Sequence, residues 1–298
     1  MQTEINSVIE LYSNGQIQEA LDSVEVLVKD YPNEALLYNV SGACYAGLGQ
    51  LDTAVKRYEQ AIEMKPDYAE AHNNLGNALK ELDQLDTALK SYEQALGIKP
   101  DFAEAHYNLG ITHQGLNQLD TAVKHYEQAL EIKPDYTEAF NNLGSALNEL
   151  GQLDTAVKSY EKILAVKPDF AEAHYNLAVT LQELNQLDDA VRHYEQALEI
   201  KPDYAEAHNN LGNTLKDLGQ LDVAVKTLEK ALTIKPDFAE AHYNLGSALE
   251  ELGQLDEALA SYERAFVLKP DINFIFGDLL HSKMHLVSGM IYQTALMN

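Results

Sequence analysis

All eight prolines of this chain stand on one arithmetic series: Pro32, Pro66, Pro100, Pro134, Pro168, Pro202, Pro236 and Pro270, each 34 residues after the last. A strict period of that length is the mark of a helix-turn-helix array. Such an array is quasi-one-dimensional, with each unit packed only on its neighbours. That overrides the two compact domains that 298 residues would otherwise suggest.

Residues 69–102, AEAHNNLGNALKELDQLDTALKSYEQALGIKPDF, serve as the type unit. His72, Leu75, Gly76 and Leu79 are spaced three, four and seven apart, as on one helical face, and Ala88, Tyr92 and Ala95 repeat the pattern in the second half. Between them lies Asp83, with Gly15, Gly49, Asn117, Gly151, Asn185, Gly219 and Gly253 at equivalent positions. Gly, Asn and Asp best tolerate a left-handed backbone, so this column predicts a helix stop. The lysine before each later proline, such as Lys99, suits a helix C-terminus, and the proline ends that helix. Asp67 precedes Glu70 by three residues, a spacing repeated at Asp101/Glu104 through Asp237/Glu240, which predicts an acidic capping box. Each unit thus reads as two antiparallel helices of about 13 residues.

Small residues indicate how the helices approach. Gly42, Gly76, Gly110, Gly144, Gly212 and Gly246 fall in mid-helix, where glycine costs roughly 1 kcal/mol against alanine. Close packing is the simplest compensation. The unbroken alanine column from Ala20 to Ala258 agrees, with Leu85 and Tyr92 and their equivalents filling the space between neighbours.

His72, Leu75, Gly76, Leu79, Ala88, Tyr92 and Pro100 resemble the tetratricopeptide repeat pattern, with His, Tyr or Phe replacing its tryptophan. The resemblance covers eight units: 1–34, 35–68, 69–102, 103–136, 137–170, 171–204, 205–238 and 239–272. It implies an all-α fold, a right-handed superhelical solenoid of stacked antiparallel helix pairs whose first helices line a concave face. The first unit departs most, with Ser7 and Val8 in place of Leu-Gly, and Ala178 and Ile163 are smaller departures.

On that face one column is nearly all asparagine: Asn6, Asn74, Asn108, Asn142, Asn176, Asn210 and Asn244, broken only by Val40. Asparagine offers an acceptor and two donors, enough to meet both polar groups of an extended peptide backbone. The column resembles the asparagine ladder of O-linked N-acetylglucosamine transferases. A solvated or helix-stabilising position copied by duplication is the plainer alternative. A second pattern has period 68: Asn73, Asn141 and Asn209 alternate with Tyr107, Tyr175 and Tyr243, in step with Tyr68, Tyr136 and Tyr204 against Phe102, Phe170 and Phe238. The tyrosines are candidate peptide anchors; duplication alone also accounts for the alternation.

Other residues carry less chemistry. His72, His106, His174, His208 and His242 occupy a packing column, one per repeat and too far apart to share a metal. His281 and His285 make two ligands without a third. Cys44 substitutes for the alanine of the next unit and reads as buried packing. No phosphate-binding loop, zinc-protease helix or glycine-flanked nucleophile occurs in the sequence. The expectation is a protein without catalysis, metal or cofactor.

The net charge of -26 disfavours nucleic acid and favours neutral or basic peptides, although the acid also serves solubility. A single cysteine, no basic signal segment in residues 1–15 and no apolar run of ~18 residues predict a cytoplasmic protein that does not span a membrane. Residues 273–298, NFIFGDLLHSKMHLVSGMIYQTALMN, are apolar and leave three readings open: a cap on the last repeat or start of a ninth, a homodimer contact, or the stub of a longer architecture. FIFGDLLHSKMH resembles the junction to a glycosyltransferase domain in bacterial proteins of the O-linked N-acetylglucosamine transferase type. That resemblance implies a substrate-recognition arm as one alternative to an independent interaction scaffold; a structural module that self-assembles through residues 273–298 is the other.

Overall fold

The computed structural model describes residues 2–270. His281, His285 and the 273–298 segment lie outside that range. Sixteen helices occur in the described residues, in strict alternation of 12–13 and 14 residues. The first are α1 (Gln2–Ser13), α2 (Ile17–Asp30), α3 (Ala35–Gly47), α4 (Leu51–Met64), α5 (Ala69–Glu81), α6 (Leu85–Ile98), α7 (Ala103–Gly115), α8 (Leu119–Ile132) and α9 (Thr137–Glu149). They are followed by α10 (Leu153–Val166), α11 (Ala171–Glu183), α12 (Leu187–Ile200), α13 (Ala205–Asp217), α14 (Leu221–Ile234), α15 (Ala239–Glu251) and α16 (Leu255–Leu268). The chain divides into two compact units, residues 1–150 and 151–298.

The expected stop column is where the backbone reverses. Gly15, Gly49, Gly151, Gly219 and Gly253 have φ of 72–78°, and Asp83, Asn117 and Asn185 hold φ of 57–60°. The three non-glycine residues are of the kinds that tolerate this region best.

The capping box does not form. Helix α5 begins after Tyr68, and no side-chain cap bond is made there or at the starts of α7, α11, α13 and α15. Asp67 lies one residue too early and is exposed to solvent. The acidic residue three further on pairs instead with the lysine that ends the second helix of its own repeat: Glu70–Lys99 at 3.5 Å, Glu104–Lys133 at 3.6 Å and Glu206–Lys235 at 3.4 Å. Those lysines also lie over the ring that follows the proline, 4.5 Å from Phe102 for Lys99 and 4.5 Å from Tyr136 for Lys133.

The mid-helix glycines have the expected packing reason. A Cβ added to Gly76 would stand 2.5 Å from Cε1 of Tyr92, and one added to Gly110 would stand 2.5 Å from Tyr126. The tyrosine ring of each of these second helices reaches the first helix through that gap. Tyr92, Tyr126 and Tyr194 are fully buried, as is the whole alanine column.

Successive first helices meet one another, α3 with α5 and α5 with α7 in the first unit, α11 with α13 and α13 with α15 in the second. No two successive second helices make a comparable contact among the described residues. Within each unit, therefore, the first helices form the inner side of the stack and the second helices splay on the outer side.

Candidate peptide-binding face

In each unit the asparagine column runs along this inner side; Asn6 is exposed, whereas Asn74, Asn108, Asn142, Asn176, Asn210 and Asn244 are half-buried rather than freely solvated. Its amides reach back to the preceding repeat. In the first unit Asn74 Nδ2 donates to Asn39 Oδ1 at 3.1 Å, Asn108 to Asn73 Oδ1 at 3.0 Å, and Asn142 to the Tyr107 hydroxyl at 3.2 Å. In the second unit Asn210 donates to the Tyr175 hydroxyl at 3.1 Å and Asn244 to Asn209 Oδ1 at 2.9 Å. Asn209 in turn donates to Asn210 Oδ1 at 3.1 Å, so Asn244, Asn209, Asn210 and Tyr175 form one hydrogen-bonded chain over three repeats. Chains of this kind reinforce one another where water is scarce.

Sequence reasoning missed this stapling role, yet a signal existed. The acceptor in these pairs lies 35 residues before the donor, and the column there, Asn39, Asn73, Tyr107, Tyr175 and Asn209, always carries an oxygen. The single break obeys the same logic: Val40 has no donor, and the position 35 residues before it is the buried Ile5, which has no acceptor.

The tyrosine column is equally tied in. The Tyr107 ring lies 4.8 Å from Tyr136 and 6.1 Å from Tyr126, and Tyr175 lies 4.9 Å from Tyr204 and 6.0 Å from Tyr194. Tyr243 meets Tyr262 at 5.6 Å. The period of 68 therefore has a packing consequence: at Tyr107 and Tyr175, a tyrosine on the first helix faces the tyrosine that ends its own repeat, just before the next first helix. Burial raises the Tyr107 and Tyr175 phenols above their ordinary range, Glu138 and Glu206 push the same way, and the asparagine bonds oppose them. Both hydroxyls stay protonated near neutrality, accepting from asparagine while keeping a hydrogen of their own.

What the face still offers is uneven. The side-chain carbonyls of Asn74 and Asn108 are not taken by another described side chain, whereas that of Asn210 receives Asn209. Beside Asn74 the first unit holds a recess of about 270 Å³ lined by Tyr12, Tyr58, Asn77 and Glu81. Its polar edge and acidic residue suit an amide-bearing, neutral or basic segment. Cys44 is fully buried, and burial followed by the Glu25 charge pushes its thiol up to about 11, so it behaves as packing.

The histidine column does more than pack. His72, His174, His208 and His242 each bring Nε2 to 3.0 Å from the carbonyl of the proline that precedes their helix, and His106 to 3.3 Å. Tyr38 does the same with its hydroxyl at 3.1 Å from Pro32 O. The loop that leads into each of these repeats is thereby clamped. No cluster of three or more metal-binding side chains occurs among the described residues, nor any helix long and apolar enough to cross a membrane.

Sequence comparison settles what kind of chain this is. Profiles described as TPR repeat match residues 42–83, 76–117, 144–185, 180–219 and 212–253, and profiles described as tetratricopeptide repeat match 103–136, 239–272 and 125–158. The chain belongs to the tetratricopeptide repeat family. No curated protein sequence matches it significantly. Among solved structures it is similar to YrrB, described as a TPR protein with an unusual peptide-binding site, at 26% identity and a TM-score of 0.54, over 63% of this chain and 96% of that one. The fold is also shared with MamA, at 24% identity and TM-score 0.51 over 55% and 96% of the two chains. A third likeness is to the Cut9–Hcn1 assembly of the APC/C, at 15% identity and TM-score 0.66, spanning 89% of this tetratricopeptide repeat chain and 52% of that one.

Proposed function

We propose that this tetratricopeptide repeat protein is a non-catalytic interaction scaffold that holds an extended peptide along the inner side of its first helices. The site is the row of Asn74, Asn108, Asn142, Asn176, Asn210 and Asn244 with the anchors Tyr107, Tyr175 and Tyr243. The observation that carries the reading is the fixed orientation of the row. The amides of Asn74, Asn108 and Asn142 are held from behind by the previous repeat, so their remaining polar groups meet a ligand with little entropy loss on binding. Likeness to YrrB, named for a peptide-binding site, supports the class of ligand. The net charge of -26 favours a neutral or basic segment.

The test is binding of a charge-graded library of unstructured peptides, read by fluorescence anisotropy, against wild type and the Asn74→Ala/Asn108→Ala double variant. Circular dichroism at low temperature checks that both remain helical, since the amides also staple repeats. Loss of about tenfold in affinity for neutral and basic peptides is expected, one hydrogen bond being worth about 0.5–1.5 kcal/mol. Unchanged affinity in a fully helical variant refutes the row as the site.

A further inference from the structure

One tyrosine of the buried second-helix column, Tyr58, stands apart. Tyr92 donates its hydroxyl to Asn77 Oδ1 at 2.8 Å, Tyr126 to Gln114 Oε1 at 2.8 Å, Tyr194 to Gln182 Oε1 at 3.0 Å and Tyr262 to Glu250 Oε2 at 2.9 Å. In these four the acceptor lies 15 or 12 residues earlier, on the first helix of the same repeat. For Tyr58 those positions are Ala43 and Ala46, which carry no side-chain acceptor. Tyr58 is 3% exposed, and its hydroxyl makes no hydrogen bond among the described residues. It is not sealed, because the one sealed, unpartnered side-chain polar atom among those residues is His208 Nδ1. The Tyr58 side chain lines the recess of about 270 Å³ beside Asn74, and its hydroxyl opens there.

The sequence shows why the recess exists. Lys80, Gln114, Asn148, Gln182, Lys216 and Glu250 occupy the column of Ala46 in later repeats, and Ala46 alone of it ends at Cβ. The same unit also shows what fills that space elsewhere. One period of 68 on, Ala46, Tyr58 and Glu81 become Gln114, Tyr126 and Glu149. There the Gln114 side chain accepts from the Tyr126 hydroxyl at 2.8 Å and donates Nε2 to Glu149 Oε1 at 2.6 Å. At Ala46 the amide is gone, while the hydroxyl and the carboxylate that it would join both line the recess.

The chemistry of an occupant follows from those two groups. Burial, and then Tyr12, Cys44 and Glu81, raise the Tyr58 phenol above its ordinary range, so the hydroxyl keeps its hydrogen and calls for an acceptor. An ammonium offers none. A carboxylate offers one but meets the like charge of Glu81. A primary amide has both halves, a carbonyl for Tyr58 and an N–H for Glu81. The volume lies below that of whole small-molecule sites, roughly 300–1,000 Å³, and suits one side chain.

We propose that this recess is a subsite for a glutamine side chain of the bound peptide, its carbonyl accepting from the Tyr58 hydroxyl and its amide donating to Glu81. The assignment rests on the peptide reading above and adds a residue preference to it. Asn74, which belongs to the asparagine row, lines the same recess, so a chain lying along the row passes its mouth.

The experiment uses the full chain and a short alanine–serine peptide carrying one glutamine, beside versions with methionine, glutamate or lysine at that place. Affinity is read by fluorescence anisotropy, and contact by the ring ¹³Cζ resonance of Tyr58 in ¹³C-tyrosine-labelled protein, assigned by its absence in Tyr58→Phe. The glutamine peptide is expected to shift that resonance and to bind about tenfold more tightly than the near-isosteric methionine one. Ala46→Gln rebuilds the arrangement that Gln114 already makes, so it is expected to fold and to bring the glutamine peptide down to the affinity of the methionine peptide. Tyr58→Phe keeps the ring and is expected to lose most of the preference. Equal binding of all four peptides leaves the asparagine row standing and overturns the subsite, giving the recess to water. Binding of none refutes the row and the subsite together. Tightest binding of the lysine peptide, or a glutamine preference that survives Ala46→Gln, overturns the amide assignment.

Discussion

Repeats 171–204 and 205–238 are neighbours in one unit and share a backbone plan. Both turn through a left-handed residue, Asn185 or Gly219, and both clamp the leading proline through a histidine, His174 or His208. Their side-chain filling differs. The first buries Tyr194 and Ala178 and pairs His174 with His193; the second packs Leu228 against Gly212 and places Thr227 opposite His208. Spacing thus secures the helices, while the space between them is filled by sets of residues that change together. Where one member changes without its partner, as at Thr227 opposite His208, a buried polar atom is left without a hydrogen bond.

The largest effect that would sharpen this comparison is removal of the two central side chains. Tyr194→Ala should cost about 3–5 kcal/mol and Leu228→Ala about 2–5 kcal/mol, as for other large-to-small core changes. Tyr194 should sit at the upper end, because its hydroxyl also donates to Gln182 Oε1 at 3.0 Å. Stability in a repeat array is a sum of local terms, so the readout is hydrogen exchange of α11–α12 and α13–α14 rather than one melting curve. Equal and global loss of protection in both variants would show that the two repeats do not open separately.

Acid should separate the repeats next. Burial, followed by the charges of His174 and Arg192, depresses His193 from its ordinary 6.5 to about 4. The unfolded chain then binds more protons than the folded one between those values. Stability is therefore fully present above about pH 6.5 and is lost as pH falls toward 4. The loss should be about 1–3 kcal/mol in α11–α12. His193→Ser, which installs the residue found at Ser91, Ser159 and Ser261 of the same column, should flatten that dependence. A slope that survives the substitution would assign the acid sensitivity elsewhere.

Much of this architecture is legible in the sequence. Proline spacing, the left-handed column and the mid-helix glycines each state a backbone or steric requirement that few residue types meet. The helices fall where those residues say. Three things are hidden because they depend on pairs far apart in the chain. The Asp67/Glu70 spacing imitates a cap, yet the helix begins at Ala69 and Glu70 pairs with Lys99. The asparagine column reads as a ligand row or as a duplicated surface position, and neither reading shows that its amides are partly used on a neighbour 35 residues back. His208 matches the other histidines of its column until Thr227 is set opposite it. In each case the residue itself is informative, and what it does is decided by a partner that local spacing does not reveal.

The smallest effect concerns the acid–lysine pairs that replace the expected cap. Glu206 and Lys235 are each 46% exposed at 3.4 Å, so solvent screens most of their attraction and both side chains lose freedom in meeting. Glu206→Gln should cost less than about 0.5 kcal/mol, and the difference should vanish in about 1 M salt, where the screening length is about 3 Å. Lys235→Met removes the same pair and also the ammonium that lies 4.7 Å over the Phe238 ring, so it should cost slightly more and keep part of that cost in salt. A loss above about 1 kcal/mol for Glu206→Gln, undiminished by salt, would exceed what an exposed pair supplies. It would mean that Glu206 serves the start of α13 after all, restoring the helix-start role that the sequence spacing suggests.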